Sequence, residues 1–177
     1  MNEYDDFLNE EARSLSRLSH EGLLSLPLFR DALIQVLYEY VQLKKPVLLI
    51  GPSGVGKTAV IHGLADKLRS AQGSHFDGEN QWSPNNLYQL SCSHLLSGTK
   101  YLGEWHSKLQ TLLGYGRHGT PLYITDVWNL PHTGKTANDE SNVLDGMRAA
   151  MEGSELALIG EVTPAQMRSM EKTPKFV

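Results

Sequence analysis

Cysteine is nearly absent: Cys92 stands alone among 177 residues, so no disulfide can form within the chain. A lone thiol suits a reducing compartment, and a cytoplasmic location is expected. The seven histidines are scattered without ligand spacing, and with one cysteine they suggest no zinc site. Positive charge is not in excess. The net charge of −4 gives no electrostatic reason to expect nucleic acid, whose binders carry a basic stripe. No apolar run approaches the roughly 20 residues that span a bilayer, so no membrane partner is expected. The opening MNEYDDFLNEEARS is acidic where a secretory leader is basic and then apolar. Internal repeats and low-complexity tracts are also missing.

What the chain has is an alternation of strand and helix patterns at the length of one domain, enough to bury roughly 70% of its unfolded surface. Residues 1–24 are polar and mainly acidic, with Leu8, Ala12, Leu15 and Leu18 at steps of three or four; they predict a weak surface helix or a frayed arm ahead of a domain over 25–177. Phe29, Leu33, Val36, Leu37 and Tyr40 then recur at helical spacing, with Pro27 near the start and Lys44-Lys45 at the end. The unbroken apolar run 46–50 predicts a strand covered on both faces of a parallel sheet. Val60, Ile61, Leu64, Ala65 and Leu68 mark one face of a following helix that stops near Gly73.

Further along, 72–85 read as a surface loop, 86–91 as a strand, and Trp105, Leu109, Leu112 and Leu113 as one side of a helix. Residues 121–125 predict a third strand ending at Asp126, 131–138 a polar loop, 142–151 a helix and 155–162 a fourth strand, with the start of another helix after it. This order predicts an α/β fold with a parallel sheet.

Between the first strand and its helix lies Gly51-Pro52-Ser53-Gly54-Val55-Gly56-Lys57-Thr58, a complete G-x-x-x-x-G-K-[ST] phosphate loop. Glycines let the backbone curl so that successive N–H groups face a β-phosphate. Lys57 reaches the β- and γ-oxygens, and the Thr58 hydroxyl binds magnesium. The helix that begins there aims its positive end at the same anion. ATP with Mg2+ is the expected ligand. A second acidic group for the metal is expected at the end of a neighbouring strand, where Asp126 stands. No Asn-Lys-x-Asp motif for reading guanine is present, and neither the arginine-bearing lid nor the acceptor site of a small kinase can be found.

Five blocks in order make the chain resemble the first AAA+ ATPase module of the Clp unfoldases and disaggregases, ClpA and ClpB among them, from about Leu26 to Arg168. Leu28-Phe29-Arg30-Asp31 resembles the segment over the adenine, with Phe29 where the family usually has glycine. Residues 47–63 resemble the strand, phosphate loop and helix. Gly98–Glu104, with Lys100, Tyr101 and Leu102, resembles the pore loop that grips polypeptide. Leu122–Asp126 resembles the acidic metal-binding strand, and Ile159–Arg168 the sensor strand, with Thr163 at the position that reads the γ-phosphate.

The resemblance implies a P-loop three-layer sandwich, nucleotide and polypeptide as partners, and a homo-oligomeric ring in a longer form. Val127 stands in place of the catalytic glutamate and Val162 in place of the first sensor threonine. The chain reaches Val177 before the family's arginine finger, fifth strand and helical lid, so impaired hydrolysis and a mainly monomeric state are expected. Glu161 shares a strand face with Thr163 and is the candidate to orient water in place of that glutamate. The alternatives are an active ATP-driven unfoldase module of a longer chain, or a non-catalytic interaction protein with structural nucleotide.

Overall fold

In a computed structural model of the chain, residues 12–72, 86–96, 104–135 and 142–172 are described. Among these residues five strands form one sheet: β1 (Arg13–Ser14), β2 (Val47–Ile50), β3 (Tyr88–Leu90), β4 (Leu122–Ile124) and β5 (Leu158–Val162). Their spatial order is β1-β3-β4-β5-β2, parallel except for β1. The helices are α1 (Leu15–His20), α2 (Asp31–Gln42), α3 (Lys57–Ala71), α4 (Cys92–Leu96), α5 (Glu104–Arg117), α6 (Val143–Glu152) and α7 (Pro164–Met170), with a 3-10 turn at Val127–His132.

Strand alternation sorts the core into two layers. Leu122, Ile124, Leu158 and Val162 pack with α5, α6 and the 3-10 turn. Tyr123 and Ile159 face the other way, onto Val60, Ile61, Leu64 and Leu68 of α3. The result is helix, sheet, helix, the expected three-layer α/β architecture.

Four local expectations are corrected. The described part of the N-terminal segment is not an arm. Leu15 is fully buried beneath α3, its N–H donates to Leu87 O at 2.9 Å, and the Leu87 N–H donates to Ser16 Oγ at 3.0 Å. Backbone pairing to the sheet edge and burial of Leu15 outweigh the entropy of leaving it loose.

On α2 the inward face is Ile34, Leu37 and Val41, whereas Leu33, Val36 and Tyr40 are exposed. The cause is a close approach at Gly63 of α3, where an added Cβ would lie 2.5 Å from Ile34 Cδ1. Strand β2 lies at the end of the sheet, so Val47–Leu49 are half-buried and Ile50 is 53% exposed. The predicted polar loop at 131–138 begins inside the 3-10 turn, with Leu130 and Pro131 buried. Residues 1–11, 73–85 and 97–103, the last holding Lys100, Tyr101 and Leu102, fall outside the described residues.

Candidate functional site

Strand β2 delivers the chain to the loop at the C-terminal end of the parallel sheet, the end at which α/β folds bind ligands. The Gly51 N–H donates to Val162 O at 3.1 Å, which anchors the loop to β5. Gly54 and Gly56 have φ of 78° and 93°, the left-handed region open to glycine at little cost. Gly56 opens α3 with no side chain capping it, so the free N–H groups of the first turn face the loop. Lys57 Nζ donates to Gly51 O and Pro52 O, both at 2.9 Å, and so sits folded over the loop.

The Thr58 hydroxyl donates to the carboxylate of Glu161, at 2.8 Å to Oε1 and 3.0 Å to Oε2. Glu161 pairs with Leu49 of β2 in the parallel register and points, like Ile159, to the α3 side. Beneath them lies Tyr123, almost fully buried. Burial first, then the charge of Glu161 and hydrogen bonding to it, push the Tyr123 phenol well above its ordinary value, so it keeps its proton.

The other sequence-assigned residues have different partners. Asp126 accepts from the Cys92 N–H at 2.7 Å and from Asn129 Nδ2 at 3.2 Å, which caps the start of α4. Thr163 caps α7 in a reciprocal box with Gln166: its hydroxyl accepts from the Gln166 N–H at 3.3 Å and donates to Gln166 Oε1 at 3.0 Å. Val127 and Val162 are buried in the layer opposite α3, and Val127 Cγ1 would lie 2.7 Å from a Cβ at Gly160.

Leu28 and Phe29 are exposed, Phe29 at 93%. Phe29 has φ of 57°, the left-handed backbone state that a glycine adopts freely and a bulky residue seldom does. Pro27 and Ser25, just before them, reach α3 through Gly63 and His62. Sequence reasoning missed Tyr123; the signal was there, since it is the polar-tipped side chain that alternation turns toward α3 between Leu122 and Ile124.

Burial, followed by the charge of Asp126, pushes the Cys92 thiol up to about 12. The thiolate is the nucleophile, so iodoacetamide at pH 8 is expected to label Cys92 in denaturant and to leave the folded protein almost unlabelled. Rapid labelling of the folded protein would contradict this environment.

The donor set suits a nucleotide with magnesium: free helix N–H groups, one ammonium, one hydroxyl and one carboxylate converge on the loop. In octahedral magnesium with ligands at 2.0–2.1 Å, adjacent oxygens are about 2.8–3.0 Å apart, which is the spacing of Thr58 and Glu161.

Residues 47–167 match the ATPase family associated with various cellular activities (AAA). The chain is 33% identical over 179 residues to the chaperone protein ClpB of Rickettsia bellii, covering 97% of this chain and 20% of that protein. It is 34% identical over 172 residues to the ClpB of Rhodopseudomonas palustris, covering 92% and 18%. It thus spans about a fifth of the length of these relatives. Among solved structures it is similar in fold to Saccharomyces cerevisiae Hsp104 in complex with casein, with a TM-score of 0.71 at 21% identity over 92% of this chain and 27% of that one. The Hsp104–ADP complex gives 0.70 at 22% identity, over 94% and 23%.

Proposed function

The chain belongs to the AAA family of ATPases as a ClpB-like AAA+ domain, and from that premise we propose that it binds ATP with Mg2+ as a module of a Clp-type protein unfoldase or chaperone. The observation that carries this reading is the phosphate loop itself, held between β2 and α3 with two left-handed glycines and Lys57 folded across it. On binding, the phosphates take the place of Gly51 O and Pro52 O as acceptors for Lys57, while the α3 N-terminus faces their charge. Magnesium, when bound, would neutralise phosphate charge, with Thr58 as its hydroxyl ligand.

Slow hydrolysis is part of the proposal. Val127, the residue after Asp126, is apolar and buried in the layer opposite α3, so neither its side chain nor its position supplies a base to the loop. Loss of a positioned base lowers rate by about 10²–10⁴. Lys100, Tyr101 and Leu102 are proposed to grip an extended polypeptide, in keeping with the casein complex of Hsp104. An active module within a longer chain is a second reading, favoured by the fifth of the relatives' length that the chain spans. ATP turnover by a longer chain would establish it.

A Lys57→Ala variant tests the binding site. Two charge-assisted bonds to phosphate are worth about 3–4 kcal/mol together, so calorimetry is expected to show ATP affinity lowered about 10²–10³-fold with the fold intact. Unchanged affinity would remove the phosphate loop from the site.

A further inference from the structure

Resting on that reading of the loop, and deepening it, we propose that Glu161 of β5 is the carboxylate of the divalent-cation site, partnering Thr58 in place of an acid from the end of β4. The two side chains are 103 residues apart in sequence and already in contact. Thr58 turns its hydroxyl hydrogen to Glu161, which leaves the oxygen lone pairs for an ion. Their oxygen spacing is that of a hydrogen bond, and it is also the spacing of adjacent corners of a magnesium octahedron, so both can bind one ion without moving apart. Magnesium at a nucleotide takes one or two carboxylates and fills its other positions with phosphate oxygens and water, so a single protein carboxylate suffices. Among the described residues no cluster of three or more acids, histidines or cysteines offers a different kind of site.

Geometry separates Glu161 from Asp126. β5 is the direct neighbour of β2, the strand that runs into the loop, whereas β4 is one strand further away. Asp126 spends its oxygens on the Cys92 N–H and on Asn129, and turning it to an ion would uncap α4. Tyr123 lies on the same face as Glu161 and hydrogen-bonds to it, which makes Tyr123 a positioning residue for the carboxylate.

The test measures ATP affinity by calorimetry on the full chain, in Mg2+ and in EDTA, for the unaltered protein, Glu161→Gln and Asp126→Asn. Losing a cation-site carboxylate is expected to weaken binding about 10–100-fold in Mg2+. In EDTA the Glu161→Gln variant is expected to bind as well as or better than the unaltered protein, because a negative charge beside the phosphates is gone. Asp126→Asn is expected to keep the Mg2+ dependence.

Equal weakening of Glu161→Gln in both conditions overturns the inference as damage to the fold, for which thermal unfolding is the check. Unchanged Mg2+ dependence in Glu161→Gln overturns it too, and would leave Glu161 at most a base acting on water. No ATP binding by the unaltered chain overturns the reading of the loop and this inference with it.

Discussion

Val127→Glu, the substitution that restores a glutamate after Asp126, is expected to destabilise the fold by about 3 kcal/mol and to yield no gain in ATP turnover. Val127 is 5% exposed and lies in the layer opposite α3, pressed onto Gly160. A carboxylate placed there enters a cavity of ≈ 400 Å³ walled by Leu48, Leu130, Leu144 and Leu158. Arg148 and Glu152 are the charged residues that line the same cavity. The sheet stands between this cavity and Thr58, because Glu161 and Tyr123 turn to the α3 face.

For a domain of this size, about 3 kcal/mol corresponds to a fall in Tm of roughly 6–12 °C. Thermal unfolding and a turnover assay on one sample check both halves. A stable Val127→Glu protein with raised turnover would mean that residue 127 reaches the nucleotide side.

Leu15→Ala is expected to cost about 2–5 kcal/mol, as large-to-small changes at buried leucines do. Leu15 has no exposed surface and packs with Leu64, Leu68 and Leu87. Its helix is held by polar contacts as well: Ser19 Oγ donates to Asp66 Oδ1 at 2.7 Å, and Arg69 pairs with the same oxygen at 2.7 Å. Leu23→Ala, at a side chain 64% exposed, is the control and should stay within about 0.5 kcal/mol. Urea unfolding midpoints compare the two directly. If Leu15→Ala unfolds like Leu23→Ala, the N-terminal segment is an arm after all.

Much of this protein is legible without coordinates. The phosphate loop is a local motif, and each of its roles depends on neighbours in the chain: glycines for curvature, Lys57 for reach, Thr58 on the first turn of α3. The parallel α/β order follows from short apolar strands alternating with amphipathic helices. Alternation along 158–162 was enough to single out Glu161 beside the expected sensor, although not to show that it touches Thr58.

What the sequence by itself determined, then, is the set of elements, their order and the ligand class of the loop, because these rest on interactions between residues a few positions apart. Only the tertiary structure decided the choices between equivalent local patterns. Helix α2 carries two apolar stripes offset by one residue, or about 100° around its axis, and the close approach at Gly63 selects Ile34, Leu37 and Val41 over Leu33, Val36 and Tyr40. A polar N-terminal segment with Leu8, Ala12, Leu15 and Leu18 in step reads as a surface helix or an arm until the edge of β3 and the floor of α3 are there to take Leu15. Asp126 and Glu161 are both acids at strand ends, and it is the strand order that sets one against the start of α4 and the other against Thr58. Burial and register act between residues distant in the chain, so their outcome is fixed only when the sheet has assembled.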